Sequence, residues 1–532
     1  MRIFTLVLTF CLIQSINAKN INIMDLGAKP DGKTLCTGLI QKAIDDCSFA
    51  GGGTVTVPTG VFITGTINLK SNVNLYLENG AVLLGSTKIE DYKPGGIIRA
   101  LEAHNIGIIG NGAIDGQGHL FWINTGKRSF AHSRPSPGNL VQLEGCKNVI
   151  IENIILRGSE SWTLHLLACD EVLVTGIKIR NPLQGPNTDG IDIQACSNVR
   201  ISNCDIYTND DDIVLKNRHP KYFGKICENI TITNCILTTV CYAFKIGTES
   251  LNDFRNIVFS NSVIKPAKPE DELAKIAASY IDPKRYRIEL ACKTGISLET
   301  VDGANLYGIT ITNIVMEDVV VPIFIRLANR GAGEQKVAVP VPGTLKDVII
   351  SNIVAYGASM ASSITAIPGS YVENIMLNNI IIKTKGGGSK ELAQKELGEE
   401  IKAYPEGTMW GSMPVSGFFV RHVKGLQMSD VKIITEDDDM RPLIKFDDVM
   451  DLYINNLQTN DTYKGDCVLD FNNVKNASLI NIDFPGSIKI PWMNFKGSET
   501  EKIFIRLIDK IEGENLIKSD KSVNAGALKT IN

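Results

Sequence analysis

Asn187-Thr188-Asp189-Gly190-Ile191-Asp192-Ile193 and Asn209-Asp210-Asp211-Asp212-Ile213-Val214-Leu215-Lys216 are the segments that decide how this chain folds. Laid one under the other, Ile191 and Ile193 fall over Ile213 and Leu215, and Asp189 falls over Asp211, at an offset of 22 residues. That offset suits one coil of a β-solenoid, whose coils stack like neighbouring strands, about 4.8 Å apart. The stretch therefore sets Asp189 above Asp211, with Asp210 beside them, just ahead of an apolar strand. Carboxylates this close repel one another, and a fold seldom accepts that for stability alone.

The pattern continues on both sides. An apolar strand, a polar pair often ending in Asn and a second apolar strand recur around Asn153, Asn203, Asn234, Asn261, Asn313, Asn352, Asn379 and Asn456. Abundant β-branched residues, little helix and a repeat of about 20–30 residues predict a parallel β-helix. Leucine-rich repeats are excluded because Leu is not periodic, and a propeller because its repeat is longer and its strands come in fours. The Asn positions are expected to form ladders, with side-chain amides bonding along the stack. Residues 37–47 have helical spacing and are expected to cap the first coils, since an open solenoid end needs a cover. Strands are expected at 61–69, 73–77 and 81–84. Insertions interrupt the repeat at 266–293 (with a helix at 270–280), at 331–343 and at 386–414. The last has a charged helical piece at 389–402, followed by Tyr404, Glu406 and Trp410. Solenoid insertions gather as loops on one side, often the binding side.

The 532 residues carry a net charge of −4 with no basic block, which argues against nucleic acid as a partner. Residues 1–18 read as a secretory signal: a basic start, a short apolar run and Ala18 at the expected cut. No other segment is expected to cross a membrane. The expected division is 1–18 signal, 19–496 a single β-helix and 497–532 a tail packing on or extending the last coils. The product is expected to be a secreted or periplasmic monomer. Of 12 cysteines, Cys146, Cys169, Cys196 and Cys227 share one phase of the repeat, and Cys204 and Cys235 another. Stacked, buried free thiols fit this better than bridges. The absence of a CxxC pair argues against a metal site, and nothing calls for a cofactor.

Asn187-Thr188-Asp189-Gly190 followed by Asp210-Asp211, with Ile114-Asp115-Gly116-Gln117-Gly118 upstream, resembles glycoside hydrolase family 28, the polygalacturonase-like enzymes. The resemblance implies a right-handed parallel β-helix of the pectin-lyase-like type. It also implies hydrolysis of pectic polysaccharides or oligosaccharides, galacturonan- or rhamnogalacturonan-type, with inversion. Asp210 would be the general acid, Asp189 and Asp211 would activate water, and Asp212 would fill the intervening position. An inverting glycosidase needs such a protonated acid and an opposed carboxylate.

Two family motifs are altered. Cys241-Tyr242-Ala243 stands where the family has Gly-His-Gly, and Ser297-Leu298-Glu299 stands where Arg-Ile-Lys holds a galacturonate carboxylate. The residues expected to match Ser297 in neighbouring coils are His165, Asp192, Val214, Lys245 and Arg326. Lys245 and Arg326 are then expected to flank Ser297 and to move the carboxylate-binding charge by one coil, or else to pair with Glu299 or Asp192. Tyr242, Lys245, Arg326, His165, Asn187 and Glu299 are the substrate-binding candidates. Trp122 and Trp162 are candidates for stacking on a sugar face or packing in the core. Arg421-His422 and Trp410 are expected to close one end of the cleft, which would favour chain-end attack. Asn229, Asn460 and Asn476 open glycosylation triplets. Two other functions compete. One is a β-eliminating lyase, which needs a base, whereas no basic residue is expected in the Asp column. The other is a non-catalytic carbohydrate-binding solenoid.

Overall fold

The computed structural model describes residues 18–531, apart from 94–95, 124–129, 269, 274–289, 331–341, 483 and 508–515. Residues 1–17 of the expected signal, most of the helix expected at 270–280 and most of the 331–343 insertion lie outside the described residues.

The chain is a right-handed parallel β-helix. A coil has three strands, as in Ser197–Ser202, Asp205–Thr208 and Ile213–Asn217. Each pairs in parallel with its counterpart one coil on. One sheet runs through Leu164–Leu167, Ile191–Gln194, Ile213–Asn217, Tyr242–Ser250, Thr294–Thr300 and Val321–Leu327. Ile191 lies opposite Ile213 and Gly190 donates to the Asp211 carbonyl, so the offset of 22 residues is the true register.

Side-chain alternation explains the core. Ile191, Ile193, Ile213, Leu215, Phe244, Ile246, Ile296 and Leu298 point inward and pack together. In the sheet containing Ser197–Ser202 the outward residues are exposed, the usual period of two. In Ile191–Gln194, Ile213–Asn217 and Thr294–Thr300 the outward residues are buried as well. Something covers that face, and this is where the polar residues of interest collect.

The Asn ladders form as the repeat predicts. Asn234 donates to Asn203 (3.1 Å), Asn313 to Asn261 (2.9 Å), Asn352 to Asn313 (2.9 Å) and Asn379 to Asn352 (2.7 Å). All of them turn the chain with positive φ, which Asn tolerates better than other L-residues with a side chain. Asn313→Ala keeps the turn at φ 59° without its two amide bonds. It is expected to cost about 1–2 kcal/mol in urea unfolding, with Asn313→Gly recovering the backbone part.

The N-terminal helix is Thr37–Phe49, and strands form at Gly60–Thr64, Ile67–Asn68, Val73–Leu77 and Ala81–Gly85. Beyond residue 496, Glu501–Leu507 pairs with Leu469–Ile482, and Leu528–Ile531 with Glu501–Leu507. The eleven described cysteines are free, and the Cys169 amide donates to the Cys196 thiol one coil away.

Two expectations fail. The helical piece at 389–402 is a single turn, Lys390–Ala393, capped by Ser389. The carbonyls that a longer helix would use are taken by guanidinium groups: Arg421 donates to Leu397 O (2.9 Å) and Arg326 to Glu399 O (2.5 Å). The second failure is Arg326 itself. Phe324 lies opposite Ser297, and Arg326 lies opposite Glu299. A slip of two residues keeps Ile323, Ile325 and Leu327 inward, so the hydrophobic pattern cannot detect it.

Candidate active site

Backbone close approach builds the site. A Cβ on Gly190 would lie 2.3 Å from the Asp212 carbonyl oxygen, so only glycine lets the two coils approach at this turn. Asn187 turns with φ 47° and is held by His132, whose Nε2 lies 3.3 Å from its Oδ1. The other ring nitrogen of His132 lies 2.8 Å from Glu160. On the next coil the Asp210 carbonyl accepts from the hydroxyls of Thr208 (2.7 Å) and Thr239 (2.5 Å). These anchors orient three consecutive aspartates differently. Asp212 turns away from the cleft to lie 2.8 Å from the Thr208 hydroxyl, and its burial pushes its carboxyl well above the usual range. Asp210 and Asp211 face a cleft of about 240 Å³ that Asp189 also lines.

The charges are arranged in pairs. Lys216 Nζ lies 2.8 Å from Asp189 Oδ2, 2.6 Å from Asp192 Oδ1 and 3.9 Å from the centre of the Trp162 ring. Lys245 Nζ lies 3.2 Å from Asp211 Oδ2 and 4.0 Å from the centre of the Tyr242 ring. Although burial opposes their charge, Asp189 and Asp192 hold Lys216, and Asp211 and Glu299 hold Lys245, well above the ordinary lysine value. Both are ammonium ions. Burial pushes Asp189 above the usual carboxylate range, with Lys216 working against the rise. Among the described residues Asp210 forms no ion pair with a lysine. Its burial and the charges of Asp189 and Asp211 push its carboxyl up to about 7. Its Oδ1 accepts from the Asp211 amide (3.0 Å), and its Oδ2 lies 3.4 Å from the Asn187 amide nitrogen.

One oxygen each of Asp210 and Asp211 and the Cys241 sulfur lie within 4.8 Å of one another. They fit a metal ion poorly: burial holds the Cys241 thiol well above its usual value, hence protonated, and Lys245 already engages Asp211.

Asp189, Asp210, Asp211, Asn187, Tyr242 and Lys245 meet at the cleft. The other three candidates do not line it. His165 is buried between Gln194 (3.1 Å) and Asn139 (3.2 Å), and burial lowers its imidazole to about 4. Glu299 is sealed behind the wall, where it accepts from Ser297 (2.6 Å), and burial raises its carboxyl to about 7. Arg326 is buried against Thr365 Oγ1 (3.2 Å) and the Trp410 ring (5.4 Å), within the packing of the 386–414 insertion. The charge expected to flank Ser297 from that coil is therefore absent. Trp162 lines the cleft, while the Trp122 indole donates to the Glu160 carbonyl (3.0 Å).

Cleft closure also differs from expectation. Arg421 bonds Asp447 (2.9 Å) and Glu399 (3.1 Å), His422 bonds Asp448 (2.6 Å), and Trp410 donates to Gly398 O (3.0 Å). These residues brace the insertion, and Tyr404 and Glu406 from that insertion reach the cleft. Thr248 donates to the Tyr404 hydroxyl (2.9 Å), and Glu406 pairs with Lys293. Sequence reasoning missed Lys216, Glu249, Lys293, Tyr404 and Glu406 as cleft residues. No basic residue stands in the Asp column, where Tyr242, Thr294 and Val321 follow Asp211, yet Lys216 and Lys245 reach back to its carboxylates from other strand positions. Lys216 was detectable, since it shares its outward parity with Val214 and so with Asp192.

Residues 47–267 match the family model described as Glycosyl hydrolases family 28. A probable polygalacturonase of Vitis vinifera is 32% identical over 233 residues, 39% of this chain and 46% of that protein. An exo-poly-alpha-D-galacturonosidase of Dickeya chrysanthemi is 30% identical over 258 residues, 37% of this chain and 41% of that protein. The chain spans about half the length of the curated relatives it matches. Among solved structures, an exopolygalacturonase from Thermotoga maritima superposes with a TM-score of 0.60 at 22% identity, over 79% of this chain and 92% of that one. A family 28 exopolygalacturonase of Yersinia enterocolitica gives 0.61 at 18% identity, over 87% and 78%. At these identities the structural likeness shows the fold. The family model covers Asp189, Asp210, Asp211, Tyr242 and Lys245, and ends before Lys293, Glu299 and Tyr404.

Proposed function

We propose that this chain, which resembles glycoside hydrolase family 28 and matches its model over residues 47–267, is a glycoside hydrolase acting on a pectic polysaccharide or oligosaccharide. The observation that carries the reading is the division of labour among three carboxyls. Asp210, held near 7, keeps a proton for the leaving oxygen, while Asp189 and Asp211 sit against ammonium groups. Asp210 protonates the glycosidic oxygen, and a carboxylate takes a proton from the attacking water. Asp210 and Asp211 approach within 4.8 Å, closer than the gap of about 6.5–9.5 Å that an inverting pair leaves for water. The attacking water is therefore assigned to Asp189, from the adjacent coil, with Asp211 helping to hold it, and the outcome is inversion. Tyr404 and Glu406 of the 386–414 insertion line the cleft, a wall that favours attack from a chain end. Export follows from the signal read at 1–18.

The lyase alternative is weaker. Elimination requires a neutral base, and Lys216 and Lys245 are both held protonated. The test is product analysis on a panel of pectic polymers and oligosaccharides. New reducing ends without ultraviolet absorbance are expected, and proton NMR should show the first-formed anomer inverted. Unsaturated, absorbing ends would overturn hydrolysis. A retained anomer would make Asp211 a nucleophile, matching its short distance to Asp210.

A further inference from the structure

The cleft wall carries three lysines, and each is engaged by carboxylates: Lys216 by Asp189 and Asp192, Lys245 by Asp211, and Lys293 by Glu406. Glu249, at the end of the strand Tyr242–Ser250, is half-buried and lines the same cleft. Among the described residues no basic side chain forms an ion pair with Glu249. Burial opposes its charge, yet the field of Lys216, with Lys245 and Arg330 adding to it, lowers its carboxyl below the usual range, so it is an anion at neutral pH. The lining thus holds three cations against four carboxylates, Asp189, Asp211, Glu249 and Glu406, even with Asp210 protonated. A second, independent observation points the same way. Among the described residues Asp189 Oδ1 and Asp211 Oδ1 are buried acceptors with no hydrogen-bond partner, and the Tyr242 hydroxyl beside them is a buried donor with none. Among the described residues every lysine of the lining already has a carboxylate partner, and the Tyr242 hydroxyl is a neutral donor left over.

Resting on the hydrolase reading, we infer that the sugar ring held in this cleft is a neutral one, gripped through its hydroxyl groups with Glu249 as an acceptor, and not a uronate. A sugar hydroxyl donates to Glu249 and accepts from the Tyr242 hydroxyl, while Asp189 and Asp211 are left to the attacking water. A uronate carboxylate donates no hydrogen, and it would meet Glu249 as a like charge in a partly dry site, a juxtaposition that is costly. The positions where the family resemblance calls for a carboxylate-binding cation pair hold Ser297 and Glu299, bonded to each other. Glu249 is accordingly the residue that selects against charge on the bound ring.

The experiment uses matched pairs of oligosaccharides that differ only in whether the terminal ring carries a carboxylate or the reduced CH2OH. Pairs are drawn from homogalacturonan and from backbones that alternate uronate with neutral sugar. Wild type is expected to favour the neutral-ended member by at least about tenfold in kcat/KM. Glu249→Gln is expected to narrow that ratio by improving the uronate-ended member. Equal or better cleavage of the uronate-ended member by wild type overturns the inference and leaves hydrolysis standing, with Lys293 leaving Glu406 to meet the carboxylate. Cleavage of no member of any pair overturns the hydrolase reading instead. Calorimetric binding of the same pairs then still decides the preference, and tighter binding of the uronate-ended member overturns it.

Discussion

Asp210→Asn is expected to lower kcat on a cleaved pectic oligosaccharide by about 10²–10⁴-fold while leaving the fold intact. Asparagine keeps the shape of the side chain, and its carbonyl oxygen still accepts the Asp211 amide that Asp210 Oδ1 accepts at 3.0 Å. What it loses is the proton. The pH dependence gives the sign. Asp210 must be protonated to act, and its carboxyl is held at about 7, so wild-type activity falls as pH rises through about 7. On the acid side, activity falls when the water-activating carboxylates take up protons. In Asp210→Asn the limb near 7 should vanish from whatever activity remains, because the group that titrates there is gone. Steady-state rates across pH on both proteins check this. A variant with near-wild-type kcat would remove Asp210 from the chemistry, and a surviving limb near 7 would assign that limb to another group.

Lys216→Met is expected to destabilise the protein by about 3–5 kcal/mol, the usual effect of removing one partner from a buried ion pair. Lys216 is the ammonium between Asp189 and Asp192, both almost fully buried, and Asp192 Oδ2 already lacks a partner. Without the lysine, two carboxylates face each other in a dry site. Burial raises both carboxyls above their unfolded value, and removing the cation raises them further. Groups with raised folded values stabilise the protein at low pH, and that contribution is lost as pH rises through those values. The penalty of Lys216→Met should therefore be small in acid and grow toward neutral pH. Denaturant unfolding at several pH values measures it. Adding Asp192→Asn removes one of the stranded charges and should recover much of the loss. A loss below about 1 kcal/mol, the scale of an exposed pair, would show that water reaches this cluster.

The solenoid, its coil offset and the Asp189–Asp211 column were legible from the sequence alone. These depend on local period-two alternation and near-equal coil lengths, which survive in the order of residues. The Asn turns were legible for the same reason, since each Asn solves a local backbone problem at positive φ. The strand pairing of Val214 with Lys245 and of Lys245 with Ser297 followed once the register was set. Arg326 did not follow, because a two-residue slip preserves every inward and outward assignment, and only the packing of Phe324 against the insertion distinguishes the registers. Nor did the sealing of His165 and Glu299, which depends on what covers the outward face. Strand parity turns Lys216 outward with Asp192, but which carboxylate it reaches, Asp189 on the neighbouring coil, is set by a long side chain and not by periodicity. Tyr404 meets Thr248 from 156 residues away, and Glu406 arrives with it, carried by an insertion whose path is braced by Arg326 and Arg421. Sequence periodicity therefore determined the scaffold and the acid column. The tertiary structure decided which cations reach those acids and what closes over them, because both depend on long side chains and an insertion that obey no repeat.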